Sequence, residues 1–197
     1  MYNSPPIWDR INSYALVTYI PEPLAGFLDR LREELVPNCF LRAHVTILPP
    51  RPLVVSTDEA WEVLRGIARS FTSFEVQLGD VDVLPVSDVI YVRITAGNEI
   101  LTRMHDAMNV DGLQRQEEFS YLPHVTLAQE LESDEVDELV RVARIRWAES
   151  SLAKSFRAEK VCFVQNTRRN LWLDIAELEL PKPETKPSGE LKDQFVG

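Results

Sequence analysis

Two of the three histidines in this chain sit in the same tripeptide, His44-Val45-Thr46 and His124-Val125-Thr126. In an extended strand, residues two apart point to one face. Each copy therefore offers an imidazole and a hydroxyl side by side, with its valine turned toward a core. Two imidazoles facing one phosphodiester suffice to cleave it. A neutral ring takes a proton from water or a sugar hydroxyl, and an imidazolium gives one to the departing oxygen; histidine suits both roles because its ordinary pKa lies near neutrality. Threonine hydroxyls can donate to the non-bridging oxygens, and a guanidinium adds charge-assisted contacts. His44 and His124 are the candidate acid–base pair, with Thr46 and Thr126 as candidate phosphate-binding residues.

Alternation extends both sets. Within the stretch from Cys39 to Leu48, the residues Phe40, Arg42, His44, Thr46 and Leu48 share one face, and the opposite face is uniformly apolar. A mixed face of aromatic, cation, imidazole and hydroxyl is what a groove for an anion with an attached ring needs. Arg42 is thus a candidate phosphate-binding cation. Arg93, which shares a strand face with Tyr91 and Thr95, is a second. Phe40 and Tyr121 are candidates for stacking on a base, an interaction worth roughly 1–3 kcal/mol. His105, on a helical stretch beside Met104 and Met108, has no repeated partner and reads as a packing or surface residue.

The elements that must position these residues follow from pattern. A strand is expected over Ser13–Ile20, and Pro21 and Pro23 open an amphipathic helix to about Leu35. The first motif strand runs from Cys39 and ends at Pro49-Pro50-Arg51-Pro52, a segment that cannot continue a central ladder. Ser56 or Thr57 caps a helix to about Phe71. Strands over Phe74–Leu84 and Val89–Ala96 come next, then a helix capped by Asn98. The second motif strand covers Phe119–Ala128, with Pro123 marking it as an edge. A helix from Ser133 to about Glu149, a strand over Phe156–Gln165 and a strand over Leu171–Leu180 complete the order.

Strand, helix, motif strand, helix, strand thus occurs twice, in pseudo-repeats of about 13–84 and 89–165 with the histidines eighty positions apart. The expected fold is α+β and bilobal, internally duplicated, with mostly antiparallel sheets, outer helices and a central groove that receives one motif from each lobe. Residues 1–180 form a single domain in this reading, and 181–197 a flexible C-terminal tail.

Composition bounds the function classes. The 197 residues are 45% hydrophobic and 26% charged, ordinary for a globular protein. A net charge of −10 argues against a broad footprint on duplex DNA, which needs clustered Lys and Arg. No apolar run approaches a membrane span, and the start of the chain lacks a signal-peptide pattern, so a cytoplasmic location is expected. The two cysteines, Cys39 and Cys162, lie in apolar strand-like stretches and read as buried thiols; no zinc-type cysteine spacing exists.

Two His-x-Thr-hydrophobic strings, Ala43-His44-Val45-Thr46-Ile47-Leu48 and Leu122-Pro123-His124-Val125-Thr126-Leu127-Ala128, resemble the paired motifs of the 2H phosphoesterase superfamily. The chain looks most like the branch of 2′-5′ RNA ligase-like proteins and RNA 2′,3′-cyclic phosphodiesterases, over about residues 12–180. The resemblance implies a groove holding both motifs, no metal or organic cofactor, and opening of a 2′,3′-cyclic phosphate on a nucleotide or short RNA end, with His44, Thr46, His124 and Thr126 at the functional positions. Many members carry a basic residue shortly after the second motif, where this chain has Gln129-Glu130. That difference and the acidic charge favour a small cyclic phosphate or short RNA end over polynucleotide ligation. The other readings kept open are 2′-5′ RNA ligase activity and a non-catalytic nucleotide or RNA-end binding protein; a monomer is expected.

Overall fold

A computed structural model describes residues 9–39, 41–84 and 87–184; Phe40 and the 185–197 part of the expected tail lie outside the described residues. Eight strands and four helices follow in order: β1 (Arg10–Tyr19), α1 (Leu24–Leu35), β2 (His44–Arg51), α2 (Thr57–Ala68), β3 (Phe74–Val83), β4 (Ile90–Ala96), α3 (Asn98–Met108), β5 (His124–Ala128), α4 (Val136–Glu149), β6 (Ser155–Ala158), β7 (Lys160–Thr167) and β8 (Trp172–Glu179). No helix among the described residues is long and apolar enough to cross a membrane.

Local chemistry sets most of the boundaries. Ser56 caps α2 in a full capping box: its hydroxyl accepts from the Glu59 amide, and the Glu59 carboxylate accepts from the Ser56 amide at 2.9 Å. The α3 cap is Gly97 rather than the expected Asn98. Its φ of +86° is the left-handed region, and a Cβ there would stand 2.7 Å from the Glu75 carbonyl, so β4 can turn directly into α3 only at a glycine. α4 starts at Val136, later than the Ser133 expected, with Glu135 as its cap.

The strands form two antiparallel four-stranded sheets, ordered β2-β1-β7-β8 and β5-β4-β3-β6. The orders match one another element for element, with β1 answering to β4, β2 to β5, β7 to β3 and β8 to β6. The sheets are nevertheless not the two chain halves: β3 pairs with β4 across the middle of the sequence, and β7 pairs with β1 from the far end. The strand expected over Phe156–Gln165 is in fact two. It breaks at Glu159, with β6 closing one sheet and β7 lying inside the other.

Both motif strands lie at sheet edges, and β2 and β5 pack against one another. β2 starts at His44, not Cys39, and runs on through Pro49 and Pro50 to Arg51. The prolines fit because the ladder bulges there, Leu48 facing Leu16 and Arg51 facing Tyr14, and because an edge strand needs donors on one side only. Behind the edges, Val45, Ile47, Val125 and Leu127 are 0–1% exposed and form the centre of the core. The helices cross over: α1 packs on β5 and α3 on β2, so each lobe's core is finished by a helix from the other.

Candidate active site

The two histidines are held in the same way. The carbonyl two residues earlier, Arg42 for His44 and Leu122 for His124, stands 2.7 Å from the ring's Nδ1. A carbonyl only accepts, so Nδ1 carries the hydrogen and the neutral ring presents a lone pair at Nε2. A tyrosine meets each ring edge-on, Tyr19 at 6.3 Å from His44 and Tyr91 at 5.3 Å from His124, between ring centres. The tyrosines are not equivalent. Tyr19 lies opposite His44 in the ladder, whereas Tyr91 lies opposite Thr126 and it is Arg93 that lies opposite His124. By register, Tyr19 answers to Arg93 and Val17 to Tyr91.

Burial holds both imidazoles below their usual pKa. For His44 the fall reaches about 4, and the charges of Arg32, His124 and Arg42 add to the effect of burial. For His124 burial is the lowering cause and the Leu122 carbonyl opposes it. The pair is not symmetric: Arg32 and Arg42 add to the lowering at His44, whereas burial alone lowers His124.

A cavity of about 700 Å³ opens beside the motifs, lined by His44, Thr46 and Thr126 and carrying Arg42 and Asp174 at one side. Asp174 binds the Arg42 guanidinium at 3.0 Å and accepts from the Tyr19 hydroxyl at 2.6 Å, while Arg42 lies 3.5 Å over the Tyr19 ring. One sheet supplies an apolar floor: Ala15 and Val17 from β1, Val164 from β7 and Trp172 from β8. These small buried side chains leave an apolar shelf against an indole, next to a polar end of imidazole and hydroxyls. Such a surface accepts a flat ring with an attached anion. Arg10, Arg32 and Gln129 also line it.

Some expected residues lie elsewhere. Arg93 is bound to Asp82 at 2.9 Å and lines a separate hollow with Arg144 and Lys154, so it does not join the motif cavity. Tyr121 is no stacking surface for a base, because its ring is stacked on His105 with centres 4.1 Å apart and its hydroxyl donates to the Thr46 carbonyl at 2.6 Å. It braces β2 from behind. Cys162 is a buried free thiol with its pKa raised to about 11 by burial, and Cys39 is free and half-buried. Asp174, Tyr19, Trp172, Arg10 and Arg32 were not expected in the cavity. A Tyr19 at the end of the first strand was the one discoverable signal; Asp174 and Trp172 lie about fifty residues beyond the second motif and well over a hundred beyond the first. Among the described residues, no group of three or more His, Cys, Asp and Glu side chains is arranged to hold a metal ion.

Against known proteins, residues 20–170 match the 2′-5′ RNA ligase superfamily. A Bacillus pumilus protein with the provisional name of phosphoesterase is 25% identical over 136 residues, which cover 68% of this chain and 79% of that one. A Bacillus licheniformis protein of similar name is 26% identical over 142 residues, covering 68% and 80%. Among solved structures, E. coli LigT complexed with phosphate superposes with a TM-score of 0.56 at 12% identity, covering 88% of this chain and 99% of that one. LigT complexed with 3′-AMP gives 0.59 at 12% identity, covering 86% and 98%. These structural likenesses show a shared fold, while the family match spans both motifs, all four strands of the β5-β4-β3-β6 sheet and β2 and β7 of the other. The chain belongs to the 2′-5′ RNA ligase superfamily, a phosphoesterase family.

Proposed function

We propose that this protein is a metal-independent cyclic phosphodiesterase that opens a 2′,3′-cyclic phosphate on a nucleotide or short RNA end. The observation that carries this reading is the matched pinning of His44 and His124. Both rings are fixed at Nδ1 by a carbonyl at 2.7 Å, and both motif threonines line one cavity. The apolar shelf beside Trp172 supports a ligand with a ring, and the phosphate and 3′-AMP bound by LigT are ligands of that chemistry.

In this mechanism His44 is the base. Burial, with the charges of Arg32 and Arg42, disfavours its protonation, so its Nε2 lone pair takes a proton from water. The water oxygen bonds to phosphorus, and the bond from phosphorus to one ring oxygen breaks. His124 as imidazolium gives its Nε2 proton to that oxygen, leaving a linear monoester and a free sugar hydroxyl. Thr46 and Thr126 hold the non-bridging oxygens.

The test is to incubate chelator-treated protein with 2′,3′-cyclic nucleotides and cyclic-phosphate-ended RNA and to identify products. Linear 2′- or 3′-monoesters lost on His44→Ala or His124→Ala are expected. Binding without turnover would assign a binding protein, and a joined product a ligase.

A further inference from the structure

The arginines around the groove differ in what neutralises them. Arg42 is paired with Asp174 at 3.0 Å and Arg93 with Asp82 at 2.9 Å. Arg10, on β1, and Arg32, on α1, make no carboxylate pair among the described residues, and of the two only Arg32 is buried, at 3% exposed. Asp29, one turn earlier on the helix, feels its charge, but burial raises the Asp29 pKa and no ion pair forms between them. The Arg32 Nη1 donates to the carbonyls of Leu41 and Arg42 at 3.3 Å each, and its Nε is buried with no partner. A guanidinium does not shed its proton, and a buried one without a counter-charge is costly to keep.

Its position says what would supply that charge. Arg32 lines the motif cavity with His44, Thr46 and Thr126, and also the hollow that continues past Thr126 toward Arg169. Its anchor at the Arg42 carbonyl is the same atom that pins His44. An oxygen held by Arg32 therefore lies beside the His44 ring. The second motif strand brings no cation to this space, since Gln129 is the neutral residue that lines both hollows.

We infer that Arg32 is the phosphate-binding cation of this groove, its guanidinium donating to a non-bridging oxygen of a phosphate seated between the motif threonines. The inference rests on the phosphodiester reading of the site. It makes the pinning of Arg32 by two carbonyls a preorganised charge, held where an anion completes its hydrogen bonds. Lysine cannot replace it fully, because one ammonium cannot hold both carbonyls and an oxyanion in a fixed planar fork.

Inorganic phosphate is the probe, titrated into the wild-type protein while the Arg32 Nε–H signal, assigned through its backbone amide, and the histidine ring signals are followed by NMR. The Arg32 signal is expected to move downfield and saturate together with those of His44 and His124. Arg32→Lys, folded by far-UV circular dichroism, is expected to bind phosphate about 10- to 100-fold more weakly. A stationary Arg32 signal while the histidines titrate, unchanged affinity in Arg32→Lys, or no binding by the wild type each overturns the assignment. Should Arg32→Lys not fold, the wild-type titration decides alone. Phosphate held by Arg32 with no turnover of any cyclic phosphodiester would sink the enzyme reading and leave this site. Turnover with a stationary Arg32 signal would do the reverse.

Discussion

At the scale of single residues, the proposal makes the two histidines unequal. His44→Ala and His124→Ala are each expected to lower kcat by about 100- to 10,000-fold, the range of a general acid or base. Their melting temperatures should stay close to that of the wild type, because both rings are half-buried at a groove rather than packed in the core. The pH profile tests the division of roles. A base with its pKa near 4 is neutral over most of the acid range, whereas an acid held below 6.5 loses its proton before neutrality. The kcat/KM profile should be a bell whose alkaline limb falls below pH 6.5. The kcat profile should extend further to the alkaline side, because bound phosphate stabilises the imidazolium. An alkaline limb of kcat/KM above pH 7 would refute this assignment. The meeting of His44, Thr46 and Thr126 at one cavity was legible in sequence, because two identical strings at equivalent places of a repeated element order point to one groove. Arg32 was not, since a charged residue amid Leu31, Glu33 and Glu34 reads as part of a solvated helix face. Arg93 misled for another reason. Alternation gives the face of a strand but not which neighbour closes over it, and Asp82 takes its charge.

At the scale of elements, β2 depends on a buried arginine at its end. Arg51 is 2% exposed, and its guanidinium meets Glu117 at 2.6 Å, Asn109 Oδ1 at 2.6 Å and the Leu113 carbonyl at 2.8 Å. Arg115 in turn donates to the Pro50 carbonyl. The motif strand is thereby tied to the end of α3 and to the loop that leads to the second motif. This explains how β2 continues past two prolines where pattern alone predicts its end. Arg51→Met should destabilise the protein by about 3 kcal/mol in urea unfolding, because it leaves the part-buried Glu117 carboxylate, 17% exposed, without its guanidinium. Glu117→Gln added to Arg51→Met should recover part of that loss. A double variant no more stable than Arg51→Met alone would show that the network matters for shape rather than charge. The helices of this region were readable from their apolar spacing and the Ser56 cap. The Arg51 network was not, since its partners lie some sixty residues onward and nothing local marks an arginine as buried.

At the scale of the whole molecule, the repeat in element order was visible in sequence, but the exchange of strands between lobes was not. An apolar pattern tells which face of a strand is buried and is silent about which strand lies beside it. The break at Glu159 shows this most plainly, because a single residue separates β6 in one sheet from β7 in the other. The consequence is that neither half of the chain contains a complete sheet. Residues 9–84 would carry β1 without β7 and β3 without β4, and α1 without the β5 surface it covers. Residues 87–184 would carry β7 and β8 with no β1 to receive them. Each half would then expose the unpaired sides of its central strands and the apolar face of its motif strand to water, a loss that local helix propensity cannot offset. Expressed separately, each half should lack a cooperative thermal transition by circular dichroism. Co-expressed from two genes, the halves should recover one, because the β1–β7 and β3–β4 ladders between them supply what each lacks. The same mixture should recover the phosphate response of the Arg32 signal, since Arg32 comes from the first half and Thr126 from the second. A half that melts cooperatively by itself would mean that the lobes are independent folding units, and that the groove joins two finished domains rather than being built by the exchange of strands.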